Sequence, residues 1–108
     1  MAYACQHAHI VVAEGEPSIP DEAFRGCSAL VSSVIPRSAT SIGTRAFDGC
    51  TSLTSVTIGD GVQTIGDYAF YASGLQSIQF GANVSEVGQY AFALTDQLEN
   101  VTFAGGDR

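Results

Sequence analysis

Ile42-Gly43-Thr44-Arg45-Ala46-Phe47-Asp48-Gly49-Cys50-Thr51-Ser52-Leu53-Thr54-Ser55-Val56-Thr57-Ile58 is one statement of a pattern that the chain repeats. Around its Ala-Phe pair the same wording recurs as Ile19-Pro20-Asp21-Glu22-Ala23-Phe24, Ile65-Gly66-Asp67-Tyr68-Ala69-Phe70 and Val87-Gly88-Gln89-Tyr90-Ala91-Phe92. The phenylalanines of the four pairs are spaced 23, 23 and 22 residues apart. A fixed period of this size marks a solenoid, in which each unit buries its apolar face only against its neighbours.

Aligned on Phe, the units place Leu30, Leu53, Leu75 and Leu98 ahead of a short alternating run. Val56-Thr57-Ile58, Ile78-Gln79-Phe80 and Val101-Thr102-Phe103 have the period of two of a strand with one buried face. Ser33 and Ile35 fill the corresponding slots of the first full unit, and Ile10 and Val12 those of a partial unit before it. Stacking sets these strands side by side in a parallel sheet. All six phenylalanines (Phe24, Phe47, Phe70, Phe80, Phe92, Phe103) fall in inward slots. Gly15, Ser38, Gly61, Asn83 and Gly106 share a turn slot, where Gly and Asn suggest a left-handed backbone. Asp21, Thr44 and Asp67 suit the N-cap of a short helical turn, and Gly26 and Gly49 its end. The prediction is an α/β solenoid of four to five units of 22–23 residues. A parallel β-sheet forms one face and short helical turns the other. The units are 19–41, 42–64, 65–86 and 87–108, after a partial unit over 1–18.

The slots resemble the BspA-like, Treponema-type leucine-rich repeat, whose pattern runs Ile-Gly-x-x-Ala-Phe-x-x-Cys-x-x-Leu-x-x-Val-x-Ile. The stretch Ile42 to Ile58 matches every fixed position, and the resemblance covers roughly residues 9–108. Ser33 and Ala39 depart from Val slots, so the first full unit should pack less tightly. The resemblance implies recognition or adhesion rather than catalysis. It favours an extracellular or cell-surface location, which the residues themselves do not settle.

Composition narrows the partners. The 108 residues include 11 acids against 4 bases, a formal net charge of −7. Such a surface repels phosphate backbones and anionic membranes, so no nucleic acid is expected. No apolar run approaches the ~20 residues of a membrane span. Met1–His9 has no basic start and no unbroken apolar stretch, so it does not read as a signal peptide.

Residues that could carry chemistry read as structural. Cys27 and Cys50 share one slot in adjacent units. They are read as buried free thiols, with a bridge between them as the alternative. Cys5-x-His7-x-His9 is not a structural zinc spacing, and His9 is read as a surface residue. No Gly-x-Ser-x-Gly elbow or phosphate loop occurs, and Gly59-Asp60-Gly61 lacks a calcium loop's carboxylates. The chain is therefore read as a non-enzyme with no cofactor and no metal. Asn83-Val84-Ser85 and Asn100-Val101-Thr102 are glycosylation sequons that matter only in a secreting eukaryote. Arg37 shares a slot with Glu14 and Asp60, Arg25 with Asp48, and Arg45 lies between Glu22 and Tyr68. These are read as rungs of alternating sign that set the stacking order.

Two surfaces remain for a protein partner. The outward strand positions form ladders, Ser32, Ser55, Ser77 and Asn100 in one, and Val34, Thr57, Gln79 and Thr102 in the other. They are the candidate binding face. The last strand leaves an edge and part of the core uncovered. Leu98, Val101 and Phe103 are therefore candidate contacts for another copy, another chain or further repeats. The leading reading is a recognition or adhesion module within a larger surface or scaffold protein. The alternative is a structural subunit that stacks end to end or docks in a larger assembly.

Overall fold

The computed structural model describes residues 8–12 and 14–103. The strands in chain order are β1 (His9–Val11), β2 (Ser32–Ile35), β3 (Ser41–Ile42), β4 (Ser55–Ile58), β5 (Thr64–Ile65), β6 (Ser77–Phe80), β7 (Glu86–Val87) and β8 (Asn100–Phe103). They form a β-solenoid of about four turns with two parallel sheets, ordered β1-β2-β4-β6-β8 and β3-β5-β7. The turns holding β2, β4 and β6 each contribute one strand to the larger sheet and, five residues later, one to the smaller. The register is in phase: Ser32 pairs with Ser55, Ser55 with Ser77, and Ser77 with Asn100.

The alternation read from the sequence holds in the three inner strands but not in β8, whose four residues are all exposed, Val101 included, because no described strand packs beyond it. β2, β4 and β6 each bury their second and fourth residues and turn the first and third outward. The phenylalanines stack along the solenoid axis. Phe24, Phe47, Phe70 and Phe92 have successive centroid separations of 5.1, 5.0 and 5.2 Å. These distances follow the unit repeat, which the strand spacing of about 4.8 Å sets. Phe103 departs from the expectation. It stacks on Phe80 at 5.2 Å, but no described strand covers its other side, and it is 55% exposed.

The helical turns expected opposite the large sheet are not formed; the described residues contain no helix. The backbone there is left-handed at two positions per unit. The residue before Ala-Phe has φ near 60° at Glu22, Arg45, Tyr68 and Tyr90. The second residue after Phe is left-handed at Gly26, Gly49, Ala72 and Leu94. A helix cannot pass through such residues. Their effect is to turn alternate N–H groups toward the next unit. Glu22, Phe24 and Gly26 donate to the carbonyls of Thr44, Ala46 and Asp48 at 2.9, 2.8 and 2.8 Å. Ala23 and Arg25, between them, donate within their own turn to Pro20 and Glu22. Thus the turn side is also a ladder between units, and it satisfies backbone groups that a buried helix would satisfy internally.

Two further turn assignments change for the same reason. The carboxylates of Asp21 and Asp67 accept from Thr44 N and Gln89 N of the following unit, each at 2.9 Å, rather than capping a helix. Of the proposed left-handed slot, only Gly15 has positive φ; Ser38, Gly61 and Asn83 do not, and Gly106 lies outside the described residues. Asn83 instead donates its side-chain amide to the Asp60 carbonyl at 2.8 Å.

Ser33 occupies an inward slot between Ile10 and Val56. It is 2% exposed, and its hydroxyl has no hydrogen-bond partner. An unpaired buried hydroxyl costs about 1–3 kcal/mol. Ser33→Val supplies the residue type of the next unit's slot. It should stabilise the fold by about 1 kcal/mol, raising the melting temperature by about 4–8 °C. Thermal unfolding followed by circular dichroism checks this, and an unchanged or lower melting point would count against the assignment.

Candidate functional site

The large sheet places the predicted face as the sequence suggests. Ser32, Ser55, Ser77 and Asn100 align in one column, and Val34, Thr57, Gln79 and Thr102 in the next. Val34, Thr57, Gln79, Asn100 and Thr102 are exposed, and the three serines are half-buried. His9 extends the first column, with Nδ1 and Ser32 Oγ 2.6 Å apart. The outward side chains of this sheet include no Asp, Glu, Lys or Arg, and His9 stands at one end. Leu98, Val101 and Phe103 lie at the far end. Leu98 is half-buried, Val101 is 45% exposed, and both Val101 and Phe103 belong to the outermost strand β8.

A second surface, on the turn side, was not singled out by the sequence reading. The left-handed residue before Ala-Phe recurs once per unit, so this slot forms a column: Glu22, Arg45, Tyr68, Tyr90. The residue after Phe forms its neighbour: Arg25, Asp48, Tyr71, Ala93. Together they make one chain of contacts. Arg25 bonds Glu22 at 3.1 Å and reaches Asp48 at 3.7 Å. Arg45 bonds Asp48 at 2.6 Å, and its guanidinium lies 4.3 Å from the centre of the Tyr68 ring. Tyr68 stacks on Tyr90 at 5.3 Å and meets Tyr71 edge-on at 5.1 Å. Carboxylate, guanidinium and phenol therefore occupy equivalent rungs. The slot's occupants were visible in the sequence. That they face one another was not, because it depends on the left-handed backbone.

The charge rungs are accordingly only partly those expected. Arg25 does reach Asp48 across units. Arg45 pairs with Asp48 of its own unit instead of Glu22, which Arg25 holds. Arg37 makes no ion pair among the described residues, on an exposed turn where such a pair would contribute little. An open depression of about 620 Å3 is lined by residues of the paired β5 and β7 segments, Thr64, Asp67, Glu86 and Val87 among them.

The cysteines also differ from the expectation of two free thiols. Cys50 is free and buried, and its thiol donates to the Phe24 carbonyl at 3.0 Å. Burial pushes it up to about 11, with the Asp48 charge adding to the effect and a backbone hydrogen bond from Cys27 opposing it. Cys27 is disulfide-bonded, and not to Cys50. In-register neighbours project their side chains in parallel about 4.8 Å apart, wider than the Cβ spacing of a disulfide. Cys5 and His7 lie outside the described residues. Among the described residues, no group of three or more His, Cys, Asp or Glu side chains could hold a metal ion. No described helix is long and apolar enough to cross a membrane.

Comparison with known proteins agrees with this geometry. A family model for the BspA type leucine rich repeat region, in 6 copies, matches residues 3–106. A leucine-rich repeat protein from Bacteroides ovatus is similar in structure, with a TM-score of 0.80 and 32% identity over 87% of this chain and 24% of that one. The T. pallidum leucine rich repeat protein gives a TM-score of 0.71 and 27% identity over 94% of this chain and 61% of that one. A leucine rich cell surface protein from Faecalibacterium prausnitzii gives 0.67 and 28%, over 99% and 35% of the two chains. The chain thus spans about a quarter of the first of these proteins and under two thirds of the second. No curated protein matches. With the repeat matched over almost its whole length and the stacked parallel ladders in place, the chain belongs to the BspA-type leucine-rich repeat family.

Proposed function

We propose that this chain is a non-enzymatic recognition or adhesion module, a segment of a larger surface or scaffold protein built from the units 19–41, 42–64, 65–86 and 87–108. The observation that carries this reading is the flat strand face, where two in-register columns present Ser32, Ser55, Ser77 and Asn100 beside Val34, Thr57, Gln79 and Thr102. Small neutral side chains on a rigid sheet cost little to desolvate and little entropy to dock. Two further facts support a surface location. The similar protein from F. prausnitzii is a cell surface protein, and the disulfide at Cys27 suits an oxidising compartment.

Binding of the labelled protein to a panel of bacterial and host surface ectodomains tests this. Replacing Thr57 and Gln79 by Arg should abolish whatever capture the parent chain shows, without lowering its melting temperature. Full capture by that variant would remove the strand face from the proposal.

The alternative is a subunit that self-associates or docks through its C-terminal end. It is favoured by Val101 and Phe103, exposed on β8, the outermost of the described strands. Light scattering after size-exclusion chromatography decides it. A mass that rises with concentration, and falls back when Val101 and Phe103 are both replaced by Lys, supports stacking through Leu98, Val101 and Phe103. A monomer at every concentration sinks it.

A further inference from the structure

The chain contains two Asp-Gly dipeptides, Asp48-Gly49 and Asp60-Gly61, both in turns between strands. In such a pair the glycine nitrogen, unshielded by any side chain, can approach the carboxyl carbon of the aspartate before it. The fold treats the two pairs oppositely.

At Asp48-Gly49 both reacting groups are held. Asp48 is buried, with its carboxylate 2.6 Å from Arg45 and 3.7 Å from Arg25. The Gly49 N–H donates to the Tyr71 carbonyl at 2.9 Å. At Asp60-Gly61 both are available. Asp60 is exposed and has no ion-pair partner among the described residues. The Gly61 N–H donates to no acceptor among them either. Asp60 Oδ1 accepts from Ala82 N of the next unit at 3.2 Å. That donor sits on the oxygen where negative charge develops when the carboxyl carbon is attacked, and it leaves Oδ2 free to depart.

We propose that Asp60-Gly61 is a site of spontaneous isoaspartate formation, and that the stacked fold spares Asp48-Gly49. With the Asp60 carboxyl carrying its proton, the Gly61 nitrogen adds to Cγ. A C–N bond forms, the Cγ–Oδ2 bond breaks, and Oδ2 leaves as water with the carboxyl proton and the Gly61 N–H proton. Water then adds to the main-chain carbonyl carbon of the succinimide, and the original Asp60–Gly61 peptide bond breaks. Gly61 is left joined through Cγ, the former main-chain carbonyl becomes a free carboxylate, and the mass is unchanged. The product lengthens the main chain by one methylene. It takes away the carbonyl that accepts from the Asn83 side-chain amide at 2.8 Å. It also displaces Gly61, which packs so closely on the Arg37 carbonyl that no side chain fits between them. Modification therefore loosens contacts to both neighbouring units.

The test ages the protein in neutral buffer, native in one sample and urea-unfolded in another. Both are mapped with an endoproteinase that cuts at aspartate and spares isoaspartate. In the native sample Asp60 should become progressively resistant. Asp48 should convert about tenfold more slowly, because the Gly49 hydrogen bond and the Asp48 ion pairs must open first. Unfolding should bring the two rates together. Asp60→Asn should reach the same succinimide faster, by loss of ammonia, read as the mass gain of deamidation. Asp60→Glu should not convert at this position. Equal native rates at the two sites, conversion at Asp48 ahead of Asp60, or conversion at Asp60 only after unfolding each overturn the proposal. In the converted fraction the Ala82 amide should exchange with solvent about tenfold faster than in the parent. Unchanged exchange there overturns the loosening of the stack.

Discussion

Gly61→Ala is expected to lower the unfolding free energy by about 3 kcal/mol, the upper part of the overpacking range. Gly61 does not have a positive φ, so it is not there for conformational freedom. A Cβ at this position would overlap the Arg37 carbonyl oxygen and lie 2.9 Å from the Ala39 carbonyl oxygen. Both obstacles are backbone atoms of the preceding unit, and neither can swing aside as a side chain does. Relief requires the units to part, which lengthens the neighbouring inter-unit bonds such as Gly59 N to Ile35 O at 2.9 Å. Gly26→Ala is the informative contrast. Its Cβ would meet nothing within 4 Å, while its φ is +72°. It should cost only the left-handed penalty of about 1–2 kcal/mol. Urea unfolding of both variants measures the difference. If Gly26→Ala proves the costlier of the two, close stacking is not what selects Gly61.

Phe47→Ala should cost about 3–5 kcal/mol, a large fraction of the 5–15 kcal/mol that holds a small domain together. Phe47 is fully buried, with Phe24 at 5.1 Å on one side and Phe70 at 5.0 Å on the other. Truncation removes contacts to both neighbouring units at once. In a stack held by nearest-neighbour interfaces, that loosens two interfaces rather than one. Phe92→Ala removes the same side chain from a half-buried site, and should cost clearly less. Chemical denaturation of the pair checks the order, and equal losses would mean that the ring column is not a continuous core.

The strand side and the turn side of the molecule differ in how far they could be read in advance. On the strand side, Val56, Thr57 and Ile58 declare their faces by simple alternation, and the 22- to 23-residue period places each beside its counterpart. The flat face of Ser55, Thr57, Ser77 and Gln79 follows from those two facts. On the turn side, Asp21 and Thr44 are good N-cap residues, and Glu22 or Arg45 are ordinary helix formers. Local propensity therefore points to a helical turn. What overrides it is a set of hydrogen bonds to residues a full unit away, from Glu22 to Thr44, Phe24 to Ala46 and Gly26 to Asp48. A reading made residue by residue has no access to bonds of that range. The tyrosine ladder was lost with them, since a helical Tyr68 would not stack on Tyr90.

The cysteines illustrate the same division. Sharing a slot puts Cys27 and Cys50 in adjacent units, and an odd count requires a free thiol somewhere. Which cysteine stays free depends on side-chain direction, and parallel projection in a ladder keeps these two apart.

Repetition alone settles that the chain stacks, how many residues each unit spends, and which strand residues face inward. Those properties depend on period and polarity, both written into the order of residues. The conformation of the turns, the column joining Glu22 through Arg45 to Tyr90, and the disulfide state of Cys27 belong to the assembled stack. They arise from contacts between units, where a backbone N–H or an aromatic face finds its partner only after the neighbouring unit has packed against it.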